Sequence, residues 1–292
     1  VLFDIRLQIT YEYEDPAVAA RHILHLMPAG LDGEQRLIAG SIDIQPPPDE
    51  WISRTDFFGN QVAEIAYRSP HSEESFLVQG RVERFARGAE LDITPPLAGL
   101  SREIAGVHSL GPDAPTHFLG ASKRVPIDDD ITAYAREQIS DGMTVFDIVR
   151  TFGLALNRDI RFDPEATTVE TPPREAFDNR HGVCQDFTHI MIAGLRGLGI
   201  PAGYVSGFLR TEPPPGQPRL EGADAMHAWV RAWCGIETGW IEYDPTNAMM
   251  VGQDHIVIAR GRDYFDVAPV KGVSRSSGTQ TTKQAVDVIP QG

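Results

Sequence analysis

The hydrophobic period of this chain changes partway along, and that change limits what it can fold into. The opening stretch, "VLFDIRLQITYEYED", alternates strictly. Phe3, Ile5, Leu7, Ile9, Tyr11 and Tyr13 share one face, and Asp4, Arg6, Gln8, Thr10 and Glu12 share the other. A period of two is the pattern of a strand buried on one face. Short runs of the same kind follow: "RHILHLMP", "QRLIAGSIDIQP", "QVAEIAY" and "ESFLVQGRVERF". Turn clusters such as "AGLDG", "PPPDE", "FFGN" and "SPHSEE" separate them. Strands at this spacing predict a β-sandwich over residues 1–98, and "TPPLAG" leads into a linker over 99–127.

From Asp128 the spacing turns helical. "DDDITAYAREQISDGMTVFDIVRTFGLALNRDI" carries acidic caps, and "TPPREAFDN" reads as a short helix with Pro in its first turn. A third helix begins at Cys184, with Phe187, Met191, Leu195 and Leu198 on one side, and ends at Gly199-Ile200-Pro201. "AGYVSGFLR", "HAWVRAWC", "WIEYDPT" and "HIVIAR" then read as strands, with "TEPPPGQPRLEGADA" as a Pro/Gly loop. Helices followed by strands predict an α+β domain over 128–273. The polar tail, 274–292, is expected to be pinned as a strand through Val286 and Val288.

Composition narrows the function. The net charge is −15 with no Lys/Arg-rich run, which excludes partners that need clustered cations: nucleic acid and anionic membrane surfaces. No stretch reaches the ~18 apolar residues of a membrane span. Two cysteines make no disulfide framework, so a reducing, cytoplasmic setting is expected, with no signal pattern at the start.

One of those cysteines raises a chemical question. Cys184 stands at a helix start, where free N–H groups and the helix dipole favour a thiolate. Gly182 is expected to supply the freedom to turn into that helix, since Val183 is stiff. A thiolate nucleophile needs a base, and the base needs an acceptor to orient it. The strand "HAWVRAWC" offers His227, and "WIEYDPT" offers Asp244. If Gly235-Ile236 forms a two-residue turn, Cys234 pairs with Glu237 and His227 falls directly opposite Asp244. Arg231 then faces Trp240, diagonal to Glu242. If all of "GIETG" is loop, Asp244 moves to the other face. The first register is preferred because it gives three residues a joint chemical purpose.

Each residue alone has a plainer reading: a packed core Cys, a structural His, a turn-forming Asp before Pro245. Their joint placement favours chemistry. His181, Cys184 and His189 offer metal-type side chains, but no fourth ligand is evident and the spacing is loose. Cys234 reads as core. Trp229 shares the His227 face and is a candidate cover for the His–Asp pair.

At these residues the sequence resembles the transglutaminase-like superfamily, specifically its bacterial transglutaminase-like cysteine-protease group. The stretches that carry the resemblance are "GVCQDFTHIMIAGLRGLGIPAGYVSG", "GADAMHAWVRAW", "GWIEYDPTN" and "DHIVIARGRDYFDVAPVKGV". "YEYEDP" and "DFFGN" resemble the β-rich region that precedes this core in the group. The resemblance implies a papain-like α+β core with a Cys184–His227–Asp244 triad that transfers an acyl group through a thioester. It implies that the N–H of Cys184 helps form the oxyanion hole, and that Gln185, Asp186 and Asp224 line the site. The usual second donors, a nearby Gln or an upstream Trp, are absent from residues 165–183. No cofactor, calcium or other metal is expected, and the expected partner is a protein or peptide substrate. Hydrolysis is the favoured outcome. A cross-linking transglutaminase and an inactive peptide-binding scaffold are the alternatives.

Overall fold

The computed structural model describes residues 1–86, 91–211, 222 and 224–291. Most of "TEPPPGQPRLEGADA", read above as a loop, lies outside the described residues.

The alternating start becomes one long strand, β1 (Leu2–Leu24). Phe3, Ile5, Leu7, Ile9 and Tyr13 are buried, as the period of two requires. The sequence predicts two runs here. The chain instead continues through a bend, where the register shifts between Glu12 and Ala17 and again between Val18 and Arg21, with Ala19 at φ +53°. Bulges of this kind redirect a strand without ending its ladder.

The bend divides a seven-stranded sheet into two halves that share β1. Before the bend β1 pairs with β5 (His71–Arg84), which pairs with β2 (Gln35–Gln45). After it β1 pairs with β4 (Gln61–Ala66), which pairs with β3 (Glu50–Thr55). The result is a curved half-barrel. His22 beyond the bend meets the buried Glu74 of β5 at 2.9 Å, and His71 meets the same carboxylate at 2.5 Å. Burial pushes Glu74 up, but hydrogen bonds and charge from the two imidazoles hold it below its ordinary value.

The core follows. Helix α1 (Leu97–Gly106) occupies part of the segment read as linker, and a 3-10 turn spans Pro115–Phe118. Helices α2 (Asp129–Glu137) and α3 (Val145–Asp159) are capped by Asp128 and Thr144. Next come β6 (Arg161–Phe162), α4 (Pro173–Asn179), β7 (His181–Gly182) and α5 (Cys184–Gly197). Four strands succeed them: β8 (Ala202–Leu209), β9 (Ala225–Trp233), β10 (Trp240–Asp244) and β11 (Met249–Met250). The strand β12 (His255–Gly261) completes an antiparallel sheet in the order β11-β10-β9-β8-β12. The protein is α+β. Apolar residues of α5, among them Phe187, Ile190, Met191 and Leu195, are buried.

After the short α6 (Tyr264–Val267), the chain returns to the half-barrel. Strands β13 (Val270–Arg275) and β14 (Gln280–Gln291) run along the free edge of β1, one on each side of its bend. Val286 and Val288 are buried. A second tie joins the two parts. Half-buried Arg260 of β12 bonds Glu34 before β2 at 2.6 Å and Glu242 of β10 at 2.5 Å. Beside it Gln35 donates to Ala29 O and Val257 O, each at 2.8 Å, and accepts from Val257 N.

Gly207 of β8 lies opposite His227 of β9. A Cβ built there would sit 2.2 Å from Ile256 O and 2.3 Å from the Trp229 ring. Backbone and indole cannot both retreat, so Gly207→Ala is expected to cost about 1–3 kcal/mol by overpacking. Urea unfolding checks this: an unchanged midpoint would show that the indole is free to move.

Candidate active site

The entry to α5 is built by a carboxylate. Asp186 is fully buried and turns back beneath its own helix, accepting from Val183 N at 2.8 Å and from Thr167 Oγ1 at 2.6 Å. A third-position acid bonding the cap residue's N–H is half of a capping box. Burial pushes Asp186 up, against these two hydrogen bonds. The expectation for Gly182 needs correction. It lies in β7, parallel to β6, and is not among the residues with positive φ. What glycine provides is room, since a Cβ would sit 2.6 Å from the Asp186 carboxylate. The left-handed residue in this turn is Arg180, at φ +56°.

Cys184 is the first residue of α5 and is half-buried. The N–H groups of Asp186 and Phe187 bond back to Val183 O at 2.9 and 3.2 Å. Those of Cys184 and Gln185 stand ahead of this first closed turn, where a helix presents unsatisfied donors.

The β9–β10 register differs from the preferred reading by two residues. Trp240 stands opposite Trp233, Glu242 opposite Arg231 and Tyr243 opposite Val230. Cys234 N bonds Gly239 O, so the loop is Gly235 to Thr238. Two glycines in positive φ, Gly235 and Gly239, make this wider loop possible. An even shift keeps every side chain on its face. His227 and Asp244 become diagonal neighbours, and His227 Nε2 still meets Asp244 Oδ2 at 2.7 Å. Arg231 stacks over Trp240 at 4.1 Å and pairs with Asp113 at 2.9 Å.

His227 hydrogen-bonds Asp244 Oδ2 on one side, and Cys184 lies near enough to act on the same ring. With Nε2 turned to Asp244, Nδ1 is the nitrogen left for the thiol. Burial pushes the His227 pKa down, but its hydrogen bond to Asp244 and the nearby thiol, with the charge of both, raise it to about 10. Asp244 has no exposure. Burial raises its pKa, and hydrogen bonds from His227, His255 and Asn247 override this and hold it far below the carboxylate range.

Sequence reasoning missed His255 and Asn247. The Nε2 of His255 meets Asp244 Oδ2 at 3.1 Å, and Gly252 N donates to its Nδ1 at 3.4 Å. An accepting Nδ1 places the proton on Nε2, so His255 is a donor to the carboxylate. Asn247 donates Nδ2 to Oδ2 at 2.7 Å, and the N–H groups of Thr246 and Asn247 reach Oδ1 at 3.0 and 3.1 Å. "DPTN" carried a signal for the last of these, an Asp receiving its own downstream N–H groups. No local signal pointed to His255.

The remaining expected site residues have protein partners. Gln185 donates Nε2 to Val169 O at 3.1 Å. Asp224 accepts from Thr211 N, Thr211 Oγ1 and Val288 N, tying the start of β9 to β14. Trp229 is fully buried beside the His227 ring and donates Nε1 to Glu242 at 2.8 Å. Cys234 is fully buried.

His189, weighed above as a ligand with His181 and Cys184, is buried and accepts from Tyr264 N at 3.2 Å. Burial lowers its pKa to about 3. Among the described residues, one set of ligand-type atoms lies close enough to hold a cation: those of His227, Asp244 and His255, within 4.8 Å of one another. Here their hydrogen bonds close directly on Asp244 Oδ2.

A helix-borne thiol beside a strand-borne His–Asp pair defines a cysteine-centred α+β fold, and comparison with known sequences identifies it. The description "Bacterial transglutaminase-like N-terminal region" matches residues 3–83, and "Transglutaminase-like superfamily" matches 132–245. The chain belongs to the transglutaminase-like superfamily. It is 32% identical over 268 residues to Uncharacterized protein Rv2569c of Mycobacterium tuberculosis, covering 88% of this chain and 82% of that one. It is 28% identical over 282 residues to Uncharacterized protein ML0607 of Mycobacterium leprae, covering 95% of each. A crystal structure from Cytophaga hutchinsonii, named "Putative Cysteine Protease", has the same fold. Its TM-score is 0.73 at 22% identity, over 98% of this chain and 89% of that one.

Two outcomes test the site. His255→Leu removes a buried donor from a charged acceptor and is expected to cost about 1.5–3 kcal/mol. His255→Gln should recover part of this in urea unfolding, and equal losses would assign the effect to packing. The second concerns pH. A folded His227 pKa raised to about 10 contributes stability that is fully present below the unfolded value of about 6.5 and is lost as pH rises through 10. The wild-type urea midpoint should therefore fall from pH 6 to 10 relative to His227→Gln. Parallel profiles would contradict the raised value.

Proposed function

We propose that this protein is a cysteine hydrolase that cleaves a peptide or side-chain amide through a thioester. One observation carries the reading: the His227 imidazole bonds the buried Asp244 at 2.7 Å and lies near enough to the half-buried Cys184 for the thiol to raise its pKa. The Cys184 sulfur attacks the amide carbonyl while its proton rests on His227. Asp244 stabilises the imidazolium and fixes its orientation. The N–H of Cys184, at the start of α5, is suited to hold the oxyanion. His227 then gives its proton to the leaving amine, takes one from water, and the hydroxide releases the acid from the thioester.

Water as the acceptor is supported by where the tryptophans lie. An amine wins over water at ~55 M only where a site holds the amine or excludes water. Trp229 and Trp233 are buried, and Trp240 donates to Asp113 O while lying under Arg231. None of the three offers a free aromatic wall for an amine.

Cys184→Ala is expected to lower turnover of an activated acyl ester by about a thousandfold or more. Product separation with and without millimolar primary amine decides the acceptor. Free acid should dominate, and an amide conjugate in excess would make the protein a transglutaminase in the strict sense. No turnover in either the wild type or the variant would favour a scaffold.

Iodoacetamide should also alkylate Cys184 at least tenfold faster than Cys234 in the native protein, since one thiol heads a helix beside His227 and the other is sealed in the core. Equal rates by mass mapping would remove the case for an activated thiol.

A further inference from the structure

A groove of about 470 Å³ runs between the half-barrel and the core. Its floor is the inner face of β1 and β14. There Tyr13 stands opposite Gln280, Tyr11 opposite Thr282 and Ile9 opposite Gln284. Its other wall belongs to the core and includes Val169 and Tyr264.

Both wall residues are tied to the helix that carries Cys184. Gln185, the next residue, holds Val169 O at 3.1 Å, and Tyr264 N holds His189 on the second turn at 3.2 Å. The Tyr264 ring lies 6.2 Å from that of Tyr204. Through Val169, the groove wall is bonded to the residue that follows the thiol on α5.

The lining also has a distinct chemistry. In a chain of net charge −15, no Asp, Glu, Lys or Arg is among the groove's described lining residues. Gln280, Thr282 and Gln284 are exposed, and their side chains have no protein partner among the described residues. They project from alternate positions of one strand, so a polar group recurs every ~6.8 Å. That is the two-residue repeat of an extended polypeptide. From Gln280 to Gln284 the row spans ~14 Å, or about four residues of extended chain. Tyr11, Tyr13 and Tyr264 add aromatic surface against which backbone and small side chains can pack.

We propose that this groove binds an extended, uncharged stretch of polypeptide next to the amide that Cys184 attacks. The half-barrel and the C-terminal strand β14 thereby select a protein chain over a small free amide. The inference rests on Cys184 being the nucleophile.

The test uses the full chain and uncharged peptides of Gly, Ala, Ser and Gln, one, three or five residues long, each carrying a chloroacetyl group. Alkylation forms the Cys184 S–C bond and breaks C–Cl. Chloride leaves, and the thiol proton passes to His227 and then to solvent. Mass-mapped rate constants should rise at least tenfold from one residue to five. A five-residue peptide with two Asp should lose most of that gain. Thr282→Trp fills the groove and should flatten the length dependence, whereas Thr281→Trp, on the opposite face of β14, should retain it. Retained length dependence in Thr281→Trp also shows that a Trp on this strand does not unfold the protein.

A rate independent of length in a wild type whose Cys184 is alkylated rapidly by iodoacetamide would overturn the groove. Equal rates for neutral and acidic peptides would overturn its selectivity. Slow iodoacetamide labelling of Cys184 would instead remove the catalytic reading beneath it.

Discussion

The C-terminal half of this molecule is organised around one buried charge. A carboxylate with no exposure, like Asp244, costs several kcal/mol unless donors replace its lost water. Two backbone N–H groups bond one oxygen, while Asn247, His255 and His227 bond the other. These donors come from β9, β12 and the turn after β10. In the sheet order β9 and β8 separate β10 from β12, so the sheet must curl until Asp244 reaches His255. The orientation of His227 is a by-product of satisfying that carboxylate.

The same curl explains the apolar and ionic surroundings. Once β10 and β12 converge, Trp229 fills the inside, and only a glycine at position 207 leaves it space. Glu242, two residues before Asp244, is buried with it and is satisfied by Trp229 Nε1 and Arg260. Arg260 in turn reaches Glu34 of the half-barrel. One chain of charge-assisted hydrogen bonds thus runs from the strand of the site into the N-terminal part, with Arg260 Nε its one donor left without a partner among the described residues. The half-barrel is held to the core through the strands that hold the His–Asp pair.

Much of this was legible in the sequence, and what was not has a physical reason. The alternation in β1, the acidic cap Asp128 and the helix start at Cys184 are local signals, and the structure follows them. The face shared by His227 and Asp244 was readable because a strand has period two. The register was not, because Gly235 and Gly239 permit either a narrow or a wide loop. The side chains stayed on their face only because the shift was even. The single strand from Leu2 to Leu24 was hidden by its bend, where Asp15-Pro16 reads as a turn. The partnership of His255 with Asp244 depends on sheet curl, which no local period records.

The two halves of the site are built by different means. The thiol side depends on a helix terminus whose entry is fixed by Asp186, a carboxylate with only two donors and one oxygen, Oδ1, without a partner. The base side depends on a carboxylate with five. Burial raises Asp186, whereas the abundance of donors depresses Asp244. Neutralising Asp186 would therefore require less free energy than neutralising Asp244. As acid is added, Asp186 takes up its proton before Asp244 does. On the proposed reading, Cys184 would then sit on the support with fewer donors and His227 on the one with more, and the imidazole would stay in place for both proton transfers.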